Sequence, residues 1–378
     1  MTIKSLRFPV AAVLASIAAA PSFALASGHR IEAGPDAACT LSLSKVAEYG
    51  FPSNGCSGIA YTGKGGRFYV LQDHADDGHA KVLPLELEID PGTGAILSQS
   101  LGPAFTPGKL RDAEGLAYDP RTGTLWISDE CAPPSVSEFR LDGTATGRKV
   151  PVPAVQRTKL RGNLSLESLT MSPDGLTMWT ANEQALKCDG ESSSGNTNVC
   201  TVVRLTRYSR PSEKGDWTPA GEWAYRCDKC AGTTYAQSGL SGLCALPDGS
   251  LLALEREVSI ETRGRCRIYR VTTGALAAAT EVSGIPALTN ASYTAVAKGD
   301  PIVSFNGPLP ESPFGPFELN VYEGIALGPR LSDGSQSVFL VSDGGASISR
   351  KVGPFMVTAT AASRICALRL TGLAGGRK

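Results

Sequence analysis

The sequence predicts an all-β fold, a single closed β-propeller, on three observations. An apolar strand, a tight turn and a second apolar strand recur five times along the chain. The 42 glycines, the 25 prolines and a charged content of only 19% are typical of a β protein rich in turns. The 378 residues also exceed the ~250–300 that one core usually holds, which a propeller tolerates because each blade packs only on its neighbours.

Each repeat opens with a small or acidic residue, and its second strand ends on polar residues. The openings are Ser57-Gly58, Glu114-Gly115, Glu167-Ser168, Ser241-Gly242 and Glu323-Gly324. The second strands end at Asp73-His74, Asp129-Glu130, Asn182-Glu183, Glu255-Arg256 and Asp343-Gly344. Sequences such as Pro173-Asp174-Gly175 between the paired strands predict tight hairpin turns. Such turns require a residue with positive φ, which glycine readily adopts.

A third strand is predicted in every repeat, at residues 81–90, 135–142, 201–209, 265–272 and 363–370. A fourth is visible at 95–101 and 149–155. Four-stranded repeats of this size are propeller blades. We therefore predict five blades in one domain, residues 39–372, although the interval 282–322 has room for a sixth.

The ends of the chain predict how the ring closes. The last repeat stops after its third strand, and residues 39–51 alternate like a strand ahead of the first repeat. We expect that segment to complete the last blade, which would leave no open sheet edge. The stretches 187–200, 210–235 and 290–319 break the pattern, and they are interpreted either as loops that shape a binding face or as tolerated surface insertions.

Residues 1–26 have the features of an export signal, with Lys4 and Arg7 ahead of an apolar run and an Ala24-Leu25-Ala26 cleavage pattern. We expect a monomer that is exported to the periplasm or secreted. No later stretch approaches the ~20 apolar residues of a membrane span, so we expect no membrane insertion. The 36 acidic and 36 basic residues balance, which gives no electrostatic reason to expect nucleic acid or an anionic membrane as partner.

All ten cysteines follow the export signal, and an even number in an oxidising compartment predicts disulfides. Cys188 and Cys200 bracket a polar segment and form the preferred local pair. Cys227 and Cys230 have the spacing of a redox or zinc motif. A four-thiolate zinc site needs a second close pair, which the chain lacks, so we interpret them as structural half-cystines or one local bridge.

Acidic residues recur at equivalent places in the repeats. Glu114, Glu167 and Glu323 share one register on the first strand, which is innermost in a propeller, so we expect their carboxylates at the central channel. The residues at the second-strand ends should approach the same region, and we predict as metal ligands Asp73, Asp129, Glu130, Asn182, Glu183, Glu255 and Asp343. So many acids in a confined site require raised pKa values or a bound cation. Oxygen ligands favour Ca²⁺, or else Mg²⁺, and three histidines are too few for a histidine-built centre.

We predict catalytic roles for Glu114, Glu167, Glu323 and Arg256. Arg256 stands where other repeats place an acid or a neutral residue, and a guanidinium there would suit a phosphate or carboxylate ligand. The alternative is structural: Arg256 would form ion pairs between blades, and the glutamates would hydrogen-bond backbone amides of the next blade.

Several strings resemble the phytase-like family, which is described as having esterase-like activity. They are DAEGLAYD at 112–119, LWISDE at 125–130, LESLT at 166–170 with ANE at 181–183, and YEGIA at 322–326 with VSD at 341–343. The resemblance covers most of residues 50–370 and implies a propeller whose acids serve phosphoester hydrolysis, by analogy with calcium-dependent propeller phytases. It implies roles for Glu114, Asp129, Glu130, Glu167, Glu183, Glu323 and Asp343. The chain departs from the family pattern at Ser168, Ser241 and Gly344, which weakens the fourth blade as a ligand donor.

Three functions remain open on the sequence. The first is a metal-dependent phosphoester hydrolase that acts on a phosphorylated small molecule. The second is a lactonase or sugar-ester hydrolase of the gluconolactonase-like kind, for which Asn182 beside Glu183 is suitable. The third is a non-catalytic binding propeller with a structural ion. A basic rim around the channel would favour the first and an apolar rim the second, whereas acids engaged by backbone amides would favour the third.

Overall fold

The computed structural model describes residues 30–32, 38–40, 43–52, 54–73, 77–193, 199–233, 236–259, 261–262, 264–306, 321–344, 347–352, 355–360 and 362–371. The predicted export signal and His74 lie outside these ranges, and every predicted site residue lies within them. No helix of the described residues is long and apolar enough to cross a membrane.

The described strands form five antiparallel blades, which confirms the predicted propeller. Two short strands precede them, β1 (Arg30–Glu32) and β2 (Ala38–Thr40). The first blade contains β3 (Cys56–Tyr61), β4 (Arg67–Gln72), β5 (Lys81–Ile89) and β6 (Ile96–Leu101). The second contains β7 (Ala113–Asp119), β8 (Thr124–Asp129), β9 (Ser135–Phe139) and β10 (Ala145–Lys149). The third contains β11 (Leu166–Met171), β12 (Thr177–Asn182), β13 (Val202–Ser209) and β14 (Thr218–Arg226).

The fourth blade contains β15 (Gln237–Ala245), β16 (Leu251–Val258), β17 (Arg265–Val271) and β18 (Val303–Asn306). The fifth contains β19 (Tyr322–Arg330) and β20 (Gln336–Ser342), then a separate hairpin of β21 (Ser347–Val352) and β22 (Phe355–Thr360), then β23 (Arg364–Thr371). The helices are short: α1 (Leu43–Glu48), α2 (Ala154–Thr158), α3 (Thr273–Ala278) and a 3₁₀ turn (Leu288–Asn290).

The start of the chain completes the last blade, as predicted, but the strands that do so precede most of the predicted segment. Strands β1 and β2 both pair with β23, so the start of the chain completes the fifth blade. Most of the predicted closing segment, residues 39–51, is instead the helix α1 and the turn after it. Val46 anchors this helix in the core between the first and fifth blades, whereas residues 47–50 are exposed.

Five apolar cores hold the ring together, one between each pair of neighbouring blades. Successive residues of a strand point to opposite faces, so each blade contributes to two cores. In β16, Leu252 and Leu254 pack on the fifth blade, whereas Leu251 and Ala253 pack on the third. The five inner strands β3, β7, β11, β15 and β19 contact one another in a closed cycle around the axis.

Three other expectations are corrected by the structure. The fourth strand of the second blade ends at Lys149, and residues 154–158 form α2. Strands β14 and β18 lie in two of the stretches interpreted as interruptions, so the described residues form five blades and no sixth. The predicted Cys188–Cys200 bridge is not formed, because both cysteines are free thiols. The Cys188 thiol donates to Asp189 Oδ1 at 3.5 Å, while Cys200 is exposed.

A β-bulge interrupts the first strand of every blade at the opening of the repeat. The paired residues on either side of the bulge are Cys56 and Gly58, Ala113 and Leu116, Leu166 and Ser168, Leu240 and Gly242, and Tyr322 and Gly324. The bulge leaves one serine or glutamate of each blade without a strand partner, namely Ser57, Glu114, Glu167, Ser241 and Glu323, and in the second blade Gly115 is unpaired as well. A bulge re-aims one side chain while the ladder continues, which places these five residues at one level of the channel.

Glycine beside the bulge lets neighbouring inner strands come close together. An ideal Cβ at Gly115 would lie 2.5 Å from Leu169 Cβ and 2.7 Å from Ser128 Oγ. At Gly242 it would lie 2.8 Å from the carbonyl oxygen of Glu323, and at Gly324 it would lie 2.9 Å from Ile59 N. Side chains at these places would push the blades apart, so the width of the ring depends on these glycines.

Gly115→Ala is expected to destabilise the fold by about 1–3 kcal/mol or more, because overpacking a rigid strand interface costs that much. Gly274→Ala in α3 is the matched control, since the nearest atom to its Cβ would be 3.8 Å away. That control should be neutral or stabilising by up to about 1 kcal/mol. Urea unfolding measures both changes, and equal stability of the two variants would contradict the proposed packing constraint.

Candidate functional site

Three buried carboxyl groups converge at one end of the channel. The bulge residues Glu114 and Glu167 and the residue after β8, Glu130, each place an oxygen within 4.8 Å of the other two. Their exposed fractions are 6%, 5% and 2%. Glu130 Oε1 accepts a hydrogen bond from Ser165 N at 2.7 Å, whereas its buried Oε2 receives no hydrogen bond from the described residues. The trio therefore contains a buried acceptor atom without a donor.

No basic side chain of the described residues forms an ion pair with Glu114 or Glu130. Burial raises the pKa of Glu114 well above its ordinary value, and the carboxyls of Glu167 and Glu130 raise it further. Burial, followed by the charge of Glu183, raises the pKa of Glu130 to about 8. Burial also raises the pKa of Glu167 well above its ordinary value, and the charges of Glu183 and Glu130 raise it further. Without a cation, the trio is therefore partly protonated at neutral pH.

Arg256 occupies the opposite side of the same channel. Its Nη2 lies 2.7 Å from Glu183 Oε1, and its Nε lies 3.5 Å from Glu323 Oε1 and 3.9 Å from Glu167 Oε1. Burial alone would lower the pKa of Arg256, but the carboxylates of Glu183, Glu323 and Glu167 raise it instead. The Arg256 side chain as a whole is 16% exposed, while its Nε atom is buried.

Strand register explains which predicted residues reach this site. The residue paired with the one just before each bulge is Gln72, Asp129, Asn182, Glu255 or Ser342. The next residue points the opposite way, toward the axis, because side chains alternate along a strand. These channel-facing positions are Asp73, Glu130, Glu183, Arg256 and Asp343. Asp73 and Asp343 are therefore equivalent to Glu130, not to Asp129.

Three predicted metal ligands lie outside the channel cluster. Asp129 Oδ1 accepts a hydrogen bond from Cys131 N at 2.9 Å, and Asn182 Oδ1 accepts one from Arg204 N at 3.0 Å. Glu255 accepts hydrogen bonds from Tyr225 Oη at 2.8 Å and from Lys298 Nζ at 2.5 Å. Since Asn182 supports backbone, it no longer favours a lactonase site. Lys298 was not predicted, because it lies in a stretch without a repeat pattern.

Asp73 and Asp343 flank the cluster on its other sides. The charge of Asp73 contributes to the raised pKa of Glu114. Burial raises the pKa of Glu323 well above its ordinary value; Arg256 opposes that shift and Asp343 adds to it. Asp73 and Asp343 are half-buried. They add negative charge to the rim rather than belonging to the carboxyl trio.

Serine replaces glutamate at the bulge in the first and fourth blades and performs the structural task there. Ser57 Oγ donates to Ala113 O of the next blade at 2.9 Å, and Ser241 Oγ donates to Tyr322 O at 3.1 Å. Ala113 and Tyr322 immediately precede the glutamates of the following blades. By contrast, Glu114, Glu167 and Glu323 accept no hydrogen bond from a backbone amide of the described residues. The expected alternative, in which these glutamates hold the ring through such bonds, does not match this geometry.

The interior of the channel is narrow, and its two ends differ in chemistry. Beyond the glutamates it narrows to a void of about 10 Å³ between the inner strands, barely space for one water. A cavity of about 320 Å³ lies at the other end, lined by Ile59, Leu116, Leu169 and Ile325 among others. No carboxyl group lines that cavity, so it is not a part of the acidic site.

A scan against protein families matches residues 52–344 to the phytase-like family, described as "esterase-like activity of phytase". The chain belongs to the phytase-like family. A search of curated proteins finds no match.

Among solved structures, this phytase-like chain is similar to a tail fibre of Staphylococcus aureus phage P68, with 11% identity and a TM-score of 0.42. That likeness covers 86% of this chain and 51% of the tail fibre, so the chain spans about half the length of that protein. It is also similar to a periplasmic gluconolactonase of Pseudomonas aeruginosa, with 11% identity, a TM-score of 0.37, and coverage of 84% of this chain and 88% of that one. TM-scores below 0.5 establish neither a fold nor an activity.

The carboxyl trio of this phytase-like protein fits a hard divalent cation. All its donors are oxygens, which suit Ca²⁺ or Mg²⁺. Ligand oxygens lie ~2.3–2.6 Å from Ca²⁺ and therefore at most about 5.2 Å from one another, a limit that the trio meets. Glu130 Oε2 is buried and receives no hydrogen bond from the described residues, so a bound ion would provide the partner that it lacks.

In metal-free buffer, Glu130→Gln is expected to stabilise the protein at pH 8 but not near pH 4.5. The folded pKa of Glu130, about 8, exceeds the ordinary 4.5, so its stabilising proton is fully bound below pH 4.5 and is lost as pH rises through 8. The amide keeps the acceptor for Ser165 N without a titrating charge. Melting temperatures at both pH values, in chelator, measure the effect.

Glu86→Gln is the control, because Glu86 is exposed and its ion pair with the exposed Arg67 is 3.7 Å long. It should change the melting temperature little at either pH. If Glu130→Gln shifts the melting temperature equally at pH 4.5 and pH 8, the raised pKa of Glu130 is wrong.

Proposed function

We propose that this phytase-like protein is an exported, metal-dependent hydrolase of small phosphoesters. The observation that carries the proposal is the convergence of Glu114, Glu130 and Glu167 in a buried site where no described residue donates a hydrogen bond to Glu130 Oε2. The family description, with its esterase-like activity, supports hydrolysis of an ester bond. The signal-like residues 1–26 support export.

Glu114, Glu130 and Glu167 would hold the cation, with Ca²⁺ preferred and Mg²⁺ second. A bound divalent ion supplies Lewis-acid polarisation of a phosphoryl oxygen and neutralises charge that develops on it. Because these carboxyls bind protons tightly in the metal-free protein, metal binding releases protons and strengthens as pH rises.

Arg256 would bind the phosphate from the opposite side. Its guanidinium is always protonated and presents several donors, which suits the oxygens of a phosphate group. In the reaction, water oxygen bonds to phosphorus, the ester P–O bond breaks, and the alcohol leaves with a proton that originates from the water. The void of about 10 Å³ beside the glutamates is too narrow for a substrate to pass along the channel between the inner strands.

Calcium is expected to raise the melting temperature of the wild-type protein. A ligand that binds only the folded state stabilises it by about 2.7 kcal/mol at a hundredfold excess over Kd. Differential scanning calorimetry in calcium and in chelator measures the shift. An identical melting temperature in both buffers, together with purified protein that carries no metal, would show that the channel holds no functional ion.

Glu114→Gln is expected to lower activity without lowering stability, and Glu255→Gln is expected to lower stability without lowering activity. Glu114→Gln should lower hydrolysis by about 100-fold or more, the scale of losing one electrostatic stabiliser of the transition state, while folding is preserved. Glu255→Gln should lower stability by about 1–3 kcal/mol, because it weakens the bonds from Lys298 and Tyr225, while hydrolysis per folded molecule stays close to wild type. Activity assays and unfolding curves on both variants measure the two effects.

The assay panel should include a phosphomonoester, a phosphodiester and a lactone, each with calcium and with chelator. Calcium-dependent cleavage of a phosphoester supports the proposal, and cleavage of the lactone alone would replace it with the lactonase function. If Glu114→Gln keeps wild-type hydrolysis per folded molecule, Glu114 is not part of the mechanism.

A further inference from the structure

The acidic channel has two sides that differ in charge. The bulge positions and the channel-facing second-strand positions make ten sites around the axis, and seven of them carry acids: Asp73, Glu114, Glu130, Glu167, Glu183, Glu323 and Asp343. Two carry serine, and the tenth is Arg256. One side holds the carboxyl trio, which no basic side chain of the described residues contacts except where Arg256 Nε approaches Glu167 at 3.9 Å. The other side holds Glu183 and Glu323, which both face Arg256.

Arg256 is surrounded by carboxylates, in the way that a bound metal ion would be. It approaches carboxylates from three bulge or second-strand positions, contributed by the third and fifth blades. Arg256 projects from the fourth blade, whose bulge residue is the neutral Ser241. At its two channel positions that blade therefore contributes a positive charge and no negative charge. A guanidinium stays protonated at all physiological pH values, so this charge cannot be removed by titration.

We propose that Arg256 is a fixed cation in the place of a second metal ion, and that it limits the channel to one divalent ion on the Glu114, Glu130 and Glu167 side. This inference rests on the proposed function, because it assumes that the trio binds metal. It assigns Glu183 and Glu323 to Arg256 rather than to the ion. It also makes Glu167, which belongs to the trio and lies 3.9 Å from Arg256, the residue shared between the two cations.

Electrostatics supports a single ion. Repulsion between like charges a few ångströms apart is strong in a site with little water, and a second divalent ion would lie beside both the first ion and the guanidinium. Removing the guanidinium would leave Glu183 and Glu323 as buried carboxylates without a counter-charge. Buried unpaired carboxylates bind a proton or a cation. Calcium should therefore occupy the vacated side.

The first test measures calcium stoichiometry by isothermal titration calorimetry and by metal analysis of dialysed protein. Wild type is expected to bind one Ca²⁺ in the channel, Arg256→Gln two, and Arg256→Lys one, because lysine restores the charge. Arg267→Gln is the matched control: Arg267 is a buried arginine on the neighbouring strand, paired with the single carboxylate of Glu257 at 2.5 Å. It should bind one ion. A stoichiometry of one in a folded Arg256→Gln variant would overturn the inference.

The second test keeps Arg256 and compares two buried glutamates at equivalent positions. Glu130→Gln should raise the calcium Kd by at least about tenfold, since even outer-shell partners of a metal contribute that much. Glu183→Gln should raise it far less, because Glu183 faces the guanidinium at 2.7 Å. Equal losses of affinity in both variants would overturn the inference even if Arg256→Gln does not fold.

The outcomes separate this inference from the proposed function. If wild type binds no calcium, the proposed metal-dependent function itself fails. If wild type binds one ion and loses it on Glu130→Gln, but Arg256→Gln still binds one, the function stands and only the role of Arg256 is wrong.

Discussion

The close approach of five inner strands around one axis is the constraint on which the acidic site depends. Glycine next to each bulge in four of the blades lets neighbouring strands come within distances that a Cβ would violate, for example at Gly115 and Gly242. Side chains that project from the bulges then enter a space with little room for water. Loss of hydration is the largest cause of the raised pKa values of Glu114, Glu167 and Glu323, and mutual repulsion comes second or later. The backbone geometry thus places carboxyl groups where their charged form is stable only beside a cation.

The five bulges are equivalent in geometry but differ in chemistry. Serine at the bulge donates to the next blade and contributes to ring closure, as Ser57 and Ser241 do. Glutamate at the same position makes no such bond and contributes a charge that the fold must compensate. Glutamate at the bulge therefore costs folding free energy that serine at the same position does not, which supports the proposed binding role.

The fold and part of the site could be predicted because both depend on features that repeat. The shared register of Glu114, Glu167 and Glu323 was visible in the strings that open the repeats. Assignment of the second-strand residues failed where it needed the exact pairing: Asp129 and Glu130 are adjacent, and only the bulge determines which of them faces the axis. Contacts from segments without a repeat were not predictable, since Lys298 reaches Glu255 from a stretch that is distant in sequence. Strands β14 and β18 were missed for the same reason.

A symmetric ring cannot by itself make an asymmetric site, so the chemistry must come from the blades that depart from the repeat. The fourth blade departs at both channel positions, with Ser241 in place of glutamate and Arg256 in place of an acid. Its neighbours Glu183 and Glu323 are thereby neutralised, while Glu114 and Glu130, on the far side of Glu167, are not. The departure at Ser241, which on sequence alone only weakens the fourth blade as a ligand donor, occurs in the same blade as Arg256. Arg256 neutralises only its own side of the channel, so no basic side chain of the described residues balances Glu114 and Glu130 on the other side, which is what the proposed single-ion site requires.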